Sequence, residues 1–203
     1  ELVEQFQPAI KVIRSYPAKY IHSVCNRDIY DLGQNVSGML KLSNRGKKGD
    51  VLRIYPAEKL DKDKNADQVA KSWGTVGNCI TCVVGEDDVW QEYRMRFTYF
   101  AGRYFAVEKS SEAVEVNDIT GEAISCAWKT NGTFQCDDSR YVQIYDLVEK
   151  AVEANMVSVH TDCPTLERFA WQEPNHLMAP SIMYMKDGRK LWEKFFMDMR
   201  TDQ

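Results

Sequence analysis

The sequence predicts a mainly β protein of the α+β type, an antiparallel sheet or barrel with helices at the N- and C-terminal ends, cross-linked by disulfides. Three observations predict it. Apolar and polar residues alternate through Val89 to Phe100, as in a strand with one wet face. Apolar residues recur at helical spacing in Tyr141 to Ala154 and again in Arg189 to Met199. Six cysteines occur in a chain of 203 residues, together with two Asn-x-Ser/Thr sequons.

The segment Leu2 to Ile13 has apolar residues near helical spacing, with Pro8 limiting a helix to starting near it or ending before it, so a short helix or an ordered arm is expected. From Val36 the pattern turns to strands. Met39 to Leu42 and Val51 to Tyr55 flank the turn Asn44-Arg45-Gly46-Lys47-Lys48-Gly49, which reads as a hairpin with a basic tip. Glu58 to Lys71 has the composition of a solvated loop. In Val89 to Phe100, Val89, Gln91, Tyr93, Met95, Phe97 and Tyr99 point one way, and Trp90, Glu92, Arg94, Arg96, Thr98 and Phe100 the other. Ala101-Gly102 turns the chain into a strand from Arg103 to Glu108, and Ala123 to Trp128 with Thr133 to Cys136 predicts a further hairpin around Thr130-Asn131-Gly132. Asp138 and Ser139 stand as caps before the first late helix, and Asp187-Gly188 precedes the second, whose stripe is Leu191, Trp192, Phe195, Phe196 and Met199. With no repeat and no low-complexity segment, residues 1–203 are expected to form a single secreted domain.

Secretion rests on Cys25, Cys79, Cys82, Cys126, Cys136 and Cys163, an even set that suits three disulfides outside the cytosol, with Cys126 and Cys136 close enough in sequence to be partners. Asn35 and Asn131 are candidate glycan acceptors. A chain that opens at Glu1 without a leader matches a mature secreted protein. No apolar run approaches the ~20 residues of a membrane span. The net charge of -4, from 26 basic and 30 acidic residues interspersed, gives no basic footprint for nucleic acid.

Motif chemistry is sparse. Cys79-Ile80-Thr81-Cys82 has β-branched flanks, so it reads as strand and as two half-cystines, not as a redox pair at a helix N-terminus. His22, His160 and His176 are scattered, which argues against zinc. Asp61 to Asp67 begins like a calcium loop, but Ala66 stands where the sharp turn needs Gly and Ser72 where a bidentate Glu belongs. No nucleophile elbow, phosphate-binding loop or zinc-protease helix occurs, so no catalytic residue, metal or cofactor is assigned. The aromatics Tyr93, Phe97, Tyr99, Tyr104 and Trp128, with Met95, are the material of either a packed β core or an apolar pocket, and they are the candidate ligand-binding residues.

The run Gly102-Arg103-Tyr104-Phe105-Ala106-Val107-Glu108-Lys109 resembles the Gly-x-Trp first-strand motif of the lipocalins, and the order of a strand-rich centre, a late amphipathic helix and a following cysteine resembles that family's layout. The resemblance implies a barrel that stores or carries a small apolar or amine ligand, with Cys25 and Cys163 as candidates for a bond between the first strand region and the segment after the helix.

The leading expectation is therefore a secreted, non-enzymatic protein that binds a small hydrophobic or amphipathic molecule, with Arg94 or Arg96 orienting it at the rim. An extracellular protein-recognition factor, such as a host-interaction or viral surface domain, is the second reading, with Trp90, Phe100, Trp171 and Leu177-Met178-Ala179-Pro180 as anchors. A secreted hydrolase is the third.

Overall fold

The computed structural model describes residues 7–68, 78–127 and 129–201. Two compact units are present. One is Arg14–Ala123; the other combines the residues up to Ile13 with those from Ile124 onward.

The first unit is a curled antiparallel sheet organised by one long strand. The strands are β1 (Lys11–Pro17), β2 (Lys19–Val24), β3 (Arg27–Arg45), β4 (Val51–Ala57), β5 (Ile80–Val83), β6 (Gln91–Arg94), β7 (Phe100–Lys109) and β8 (Glu115–Ser125). Strand β3 pairs along one edge with β2 and β8 and along the other with β7 and β6, and β7 carries the sheet on to β4 and β5. The register of β3 on β7 shifts between Asp31 and Val36, where Gly33 takes φ +75, and there the strand bends. Side chains of Ile29, Leu40, Leu42, Leu52, Ile54 and Phe105 are fully buried, and Phe100 meets Phe105 edge to face at 4.8 Å between centroids.

The second unit is helical. Helix α1 (Ser139–Ala154) starts at Asp138, whose side chain accepts the N–H of Arg140. A short hairpin of β9 (Met156–Val157) and β10 (Val159–His160) follows, then α2 (Gln172–Met185) and α3 (Arg189–Thr201). Val152 of α1, Met156 of β9, Ile182 and Met185 of α2 and Leu191 of α3 bury one another, with Cys126 and Ala127 in the same core.

A charged cluster lies in this unit. Lys186 is 2% exposed, and its ammonium donates to Glu149 and Glu153 of α1, each at 2.8 Å. Burial opposes the charge on Lys186, but the bonds from the two glutamates outweigh it and hold the group above the ordinary lysine value. Around it Asn131 N–H donates to the Met185 carbonyl and its Nδ2 to those of Met183 and Lys186.

The mainly β character, the antiparallel sheet and the C-terminal helices stand as expected from the sequence. Several finer expectations are corrected. The sheet is curled and has a defined strand path from β1 to β5, so it is not the lipocalin barrel. Residues 11–17 are a strand paired with β8, not a helix, because Val12, Ile13 and Tyr16 favour an extended backbone once a partner edge is available. Strands β3 and β4 are not a hairpin, since β7 lies between them. The expected strand Val89 to Phe100 is interrupted after Arg94; Phe97 sits at φ +60 and the alternation restarts in the opposite phase at Phe100. Thr133 to Cys136 is irregular, with the chain leaving β8 at Ser125.

The expected disulfides are absent: Cys25, Cys79, Cys82, Cys126, Cys136 and Cys163 are all free thiols. Cys82 and Cys126 are buried as small apolar side chains, and burial pushes the Cys82 thiol up to about 11. Cys79, just before β5, is exposed, and Cys82 within β5 is buried.

Two outcomes are expected. Thiol titration of the denatured protein without reductant will count all six cysteines, and reductant will leave the thermal midpoint unchanged; fewer thiols, or a lowered midpoint, would contradict the structure. Replacing Lys186 by Met leaves Glu149 and Glu153 facing each other and is expected to cost about 3–5 kcal/mol in urea unfolding, with the added Glu153→Gln change recovering part of that loss.

Candidate active site

The candidate site is the loop between β10 and α2. It is anchored at both ends by main-chain bonds. Ser158 turns the β9–β10 hairpin at φ +73, which places His160 opposite Met156. Thr161 then donates its N–H to the carbonyl of Asn155 at 2.9 Å and its hydroxyl to the Asn155 side-chain oxygen at 3.0 Å. Asp162 N–H donates to the Phe169 carbonyl at 3.0 Å, and Phe169 N–H returns to Asp162 Oδ1 at 2.9 Å, so the loop closes on itself.

Inside that closure the chain is held tightly. Glu167 N–H donates to Cys163 Sγ at 3.3 Å, and Arg168 Nε donates to the Pro164 carbonyl at 2.8 Å. Arg168 occupies the left-handed region at φ +57, a conformation a non-glycine residue keeps only when its surroundings impose it. The indole N–H of Trp171 donates to Glu167 Oε2 at 2.9 Å, and the Trp171 ring meets Phe169 edge to face at 5.4 Å. Leu166, Glu167, Phe169 and Trp171 are all exposed. A carboxylate fixed by an indole beside two exposed rings can exchange a proton with a ligand whose apolar face lies on those rings.

Burial alone would raise Asp162; the hydrogen bonds it accepts from the Cys163 thiol and the Phe169 N–H outweigh that and hold it below the ordinary carboxylate value. Burial pushes the His160 imidazole below its ordinary value, against smaller opposing effects of the Asn175 side chain and the Asp162 charge. His160 is 6% exposed, and its Nδ1 is buried without a hydrogen-bond partner. Among the described residues no three His, Cys, Asp or Glu side chains group as a metal site.

The ligand-binding residues expected from the sequence are dispersed. Met95 is buried in the sheet core, while Phe97 projects from the loop after β6 and is 105% exposed. Tyr93 lies opposite Leu42 near one end of β3, and Tyr104 lies opposite Asp31 towards the other, beside Arg103, whose guanidinium bonds both oxygens of Asp31. Tyr99 is half-buried, and Trp128 lies outside the described residues. Of the rim candidates, Arg94 pairs with Glu122 and Arg96 is exposed. Asn35 is exposed with its Nδ2 donating to Glu58, and the Nδ2 of Asn131 holds the two carbonyls at the end of α2.

The loop itself went unassigned in the sequence, apart from Trp171 as an exposed anchor and Cys163 as a half-cystine. Its one legible signal is a carboxylate and a tryptophan four residues apart, Glu167 and Trp171, in a short aromatic segment.

Comparison with known proteins falls on these two units. Residues 24–125 match the model of the bacterial alpha-L-rhamnosidase concanavalin-like domain, and residues 129–203, which include the loop, match that of the bacterial alpha-L-rhamnosidase 6 hairpin glycosidase domain. Both models describe parts of one kind of glycosidase. The chain belongs to the bacterial alpha-L-rhamnosidase family.

Similar proteins include an alpha-L-rhamnosidase of Formosa agariphila, 23% identical over 96% of this chain and 21% of that protein, and one of Streptomyces avermitilis, 22% identical over 100% of this chain and 20% of that protein. Among solved structures, the alpha-L-rhamnosidase from Dictyoglumus thermophilum superimposes with a TM-score of 0.87 at 26% identity, over 97% of this chain and 22% of that one. The Streptomyces avermitilis alpha-L-rhamnosidase complexed with L-rhamnose gives 0.87 at 22% identity, over 100% of this chain and 20% of that one. The chain thus spans about a fifth of the length of the relatives it matches.

These findings correct the functional expectations. The lipocalin resemblance is overturned, since both units match rhamnosidase domains. The non-enzymatic carrier of an apolar ligand and the protein-recognition factor are overturned as well, since the chain matches domains of a glycosidase family whose relatives are alpha-L-rhamnosidases, one of them solved in complex with L-rhamnose.

The His160 environment predicts a pH dependence. An imidazole harder to protonate in the folded than in the unfolded state makes the unfolded chain bind more protons below the ordinary 6.5, so stability is lost as pH falls through that value. The thermal midpoint is expected to drop between about pH 7.5 and pH 5 and to drop less in His160→Gln. Equal pH slopes in the two proteins would show that His160 does not contribute.

Proposed function

We propose that this chain is part of an enzyme that hydrolyses the glycosidic bond of α-L-rhamnosides, and that the loop between β10 and α2 contributes to its active site. One observation supports this reading above the others: the glycosidase-domain match covers the loop in which two carboxylates, Asp162 and Glu167, are held by hydrogen bonds beside the exposed rings of Phe169 and Trp171.

Glycoside hydrolysis needs one carboxyl group to protonate the leaving oxygen and a second group to act as base or nucleophile. Glu167 suits proton transfer, because the indole N–H fixes one of its oxygens while the side chain stays exposed to a ligand. Asp162, held in its ionised form by the Cys163 thiol and the Phe169 N–H, suits acceptance of a sugar hydroxyl. The Phe169 and Trp171 rings offer an apolar wall to the C–H face of the sugar.

The test is an assay of the full-length protein on p-nitrophenyl α-L-rhamnoside, with the β-D-glucoside as control. Release of p-nitrophenol from the rhamnoside alone is expected, with Glu167→Gln lowering kcat by about 10²-fold or more. No release from the rhamnoside, or full activity in Glu167→Gln, would overturn the reading in whole or in its assignment of Glu167.

A further inference from the structure

We infer that Asn175 is a positioning residue for this loop; the inference rests on the glycosidase reading for its catalytic consequence but not for its structural one. Asn175 lies in the opening turns of α2 and is 2% exposed, in a segment whose neighbours Gln172, Glu173 and His176 are exposed. A primary amide buried at this depth requires partners for both its N–H groups. The partners are the two ends of the loop. Nδ2 donates to the Trp171 carbonyl at 2.6 Å and makes a longer 3.5 Å bond to the His160 carbonyl.

The geometry gives the amide a specific task. Helix α2 begins at Trp171, which has no side-chain cap, so the first turn is not fixed by the usual capping bond. Asn175 does not cap the open N–H groups of that turn; its amide ties the start of the helix down by donating to the Trp171 carbonyl. Trp171 in turn fixes the Glu167 carboxylate through its indole N–H at 2.9 Å. At the other end, the His160 carbonyl precedes Thr161, which is bonded to Asn155, and Asp162, which closes on Phe169. A chain of bonds therefore runs from a buried, uncharged amide to both loop carboxylates. Displacement of a reacting group by about 1 Å can cost a factor of 10² in rate, so loosening this clamp would be felt in turnover before it is felt in binding.

The experiment compares full-length wild type, Asn175→Ala, Asn175→Gln and Ile182→Val. Ile182 is a fully buried core residue of the same unit without a bond to the loop, and it controls for simple destabilisation. Two measurements are made, hydrogen exchange of peptides by mass spectrometry and steady-state kinetics on p-nitrophenyl α-L-rhamnoside. In Asn175→Ala, exchange in the peptide covering Asp162 to Trp171 is expected to accelerate at least about tenfold while peptides of α1 and α3 keep wild-type rates. Turnover is expected to fall by about 10²-fold with KM changed less than about threefold. Asn175→Gln, which keeps the amide, should recover part of both, and Ile182→Val should move neither.

Unchanged loop exchange in Asn175→Ala, or acceleration spread equally over the whole unit, overturns the clamp. Local acceleration with unchanged kcat overturns its catalytic role. A wild-type protein that does not cleave the rhamnoside overturns the glycosidase reading instead, and the exchange measurement still decides whether Asn175 holds the loop.

Discussion

The sheet depends on the pairing of β3 along both its edges. A strand of 19 residues with partners on both sides satisfies its backbone and brings six further segments into register with it, directly or through β7. Such a strand must also bend, or the sheet would stay open and flat. The bend falls at Gly33, where φ is positive, and the tight packing falls at Gly38, where an added Cβ would lie 2.4 Å from the Glu122 carbonyl oxygen. Gly121 serves the same end from β8, with Leu32 and Phe100 close over its α carbon.

Cross-strand ion pairs explain why a chain with 26 basic and 30 acidic residues reads as evenly mixed. Arg27 and Arg53 both reach Glu108, Arg45 reaches Glu115, Lys109 reaches Asp28 and Arg103 reaches Asp31. Arg27, Glu108 and Arg53 are direct neighbours across β3, β7 and β4. Each partly exposed pair contributes at most about 1 kcal/mol, so their joint effect on stability is modest. Their effect on register is larger, because a slip by one residue would send each charge to the opposite face.

The same physics sets what the sequence disclosed. Helices α1 and α3 were legible because their apolar residues keep helical spacing and Asp138 stands where a cap belongs. Helix α2 was hidden by Pro174 and Pro180, the first tolerated in the opening turn and the second inside the helix. The strand phase around Met95 failed at a single residue, Phe97, whose left-handed backbone sends its ring to solvent and lets Phe100 turn inward. An even cysteine count suggested cross-links, yet burial of Cys82 and Cys126 as apolar side chains accounts for two of the six without any bond. The loop was illegible for another reason. Its geometry comes from main-chain donors, one thiol and one indole, and such contacts leave no periodic trace.

The donors also differ between the carboxylates of the sheet and those of the loop. In the sheet, a guanidinium bonds both oxygens of Asp31 and keeps it below the ordinary carboxylate value. A carboxylate held in that way is fixed in one charge state and serves register. In the loop, Glu167 is held by a neutral indole N–H. A neutral indole fixes the orientation of the side chain without engaging it in an ion pair, which suits the proton transfer proposed for Glu167. Asp162 lies between these cases, ionised through the Cys163 thiol and the Phe169 N–H and open to a polar ligand. Under the proposed glycosidase function, the different donors of the two loop carboxylates support Glu167, not Asp162, as the proton-transfer group.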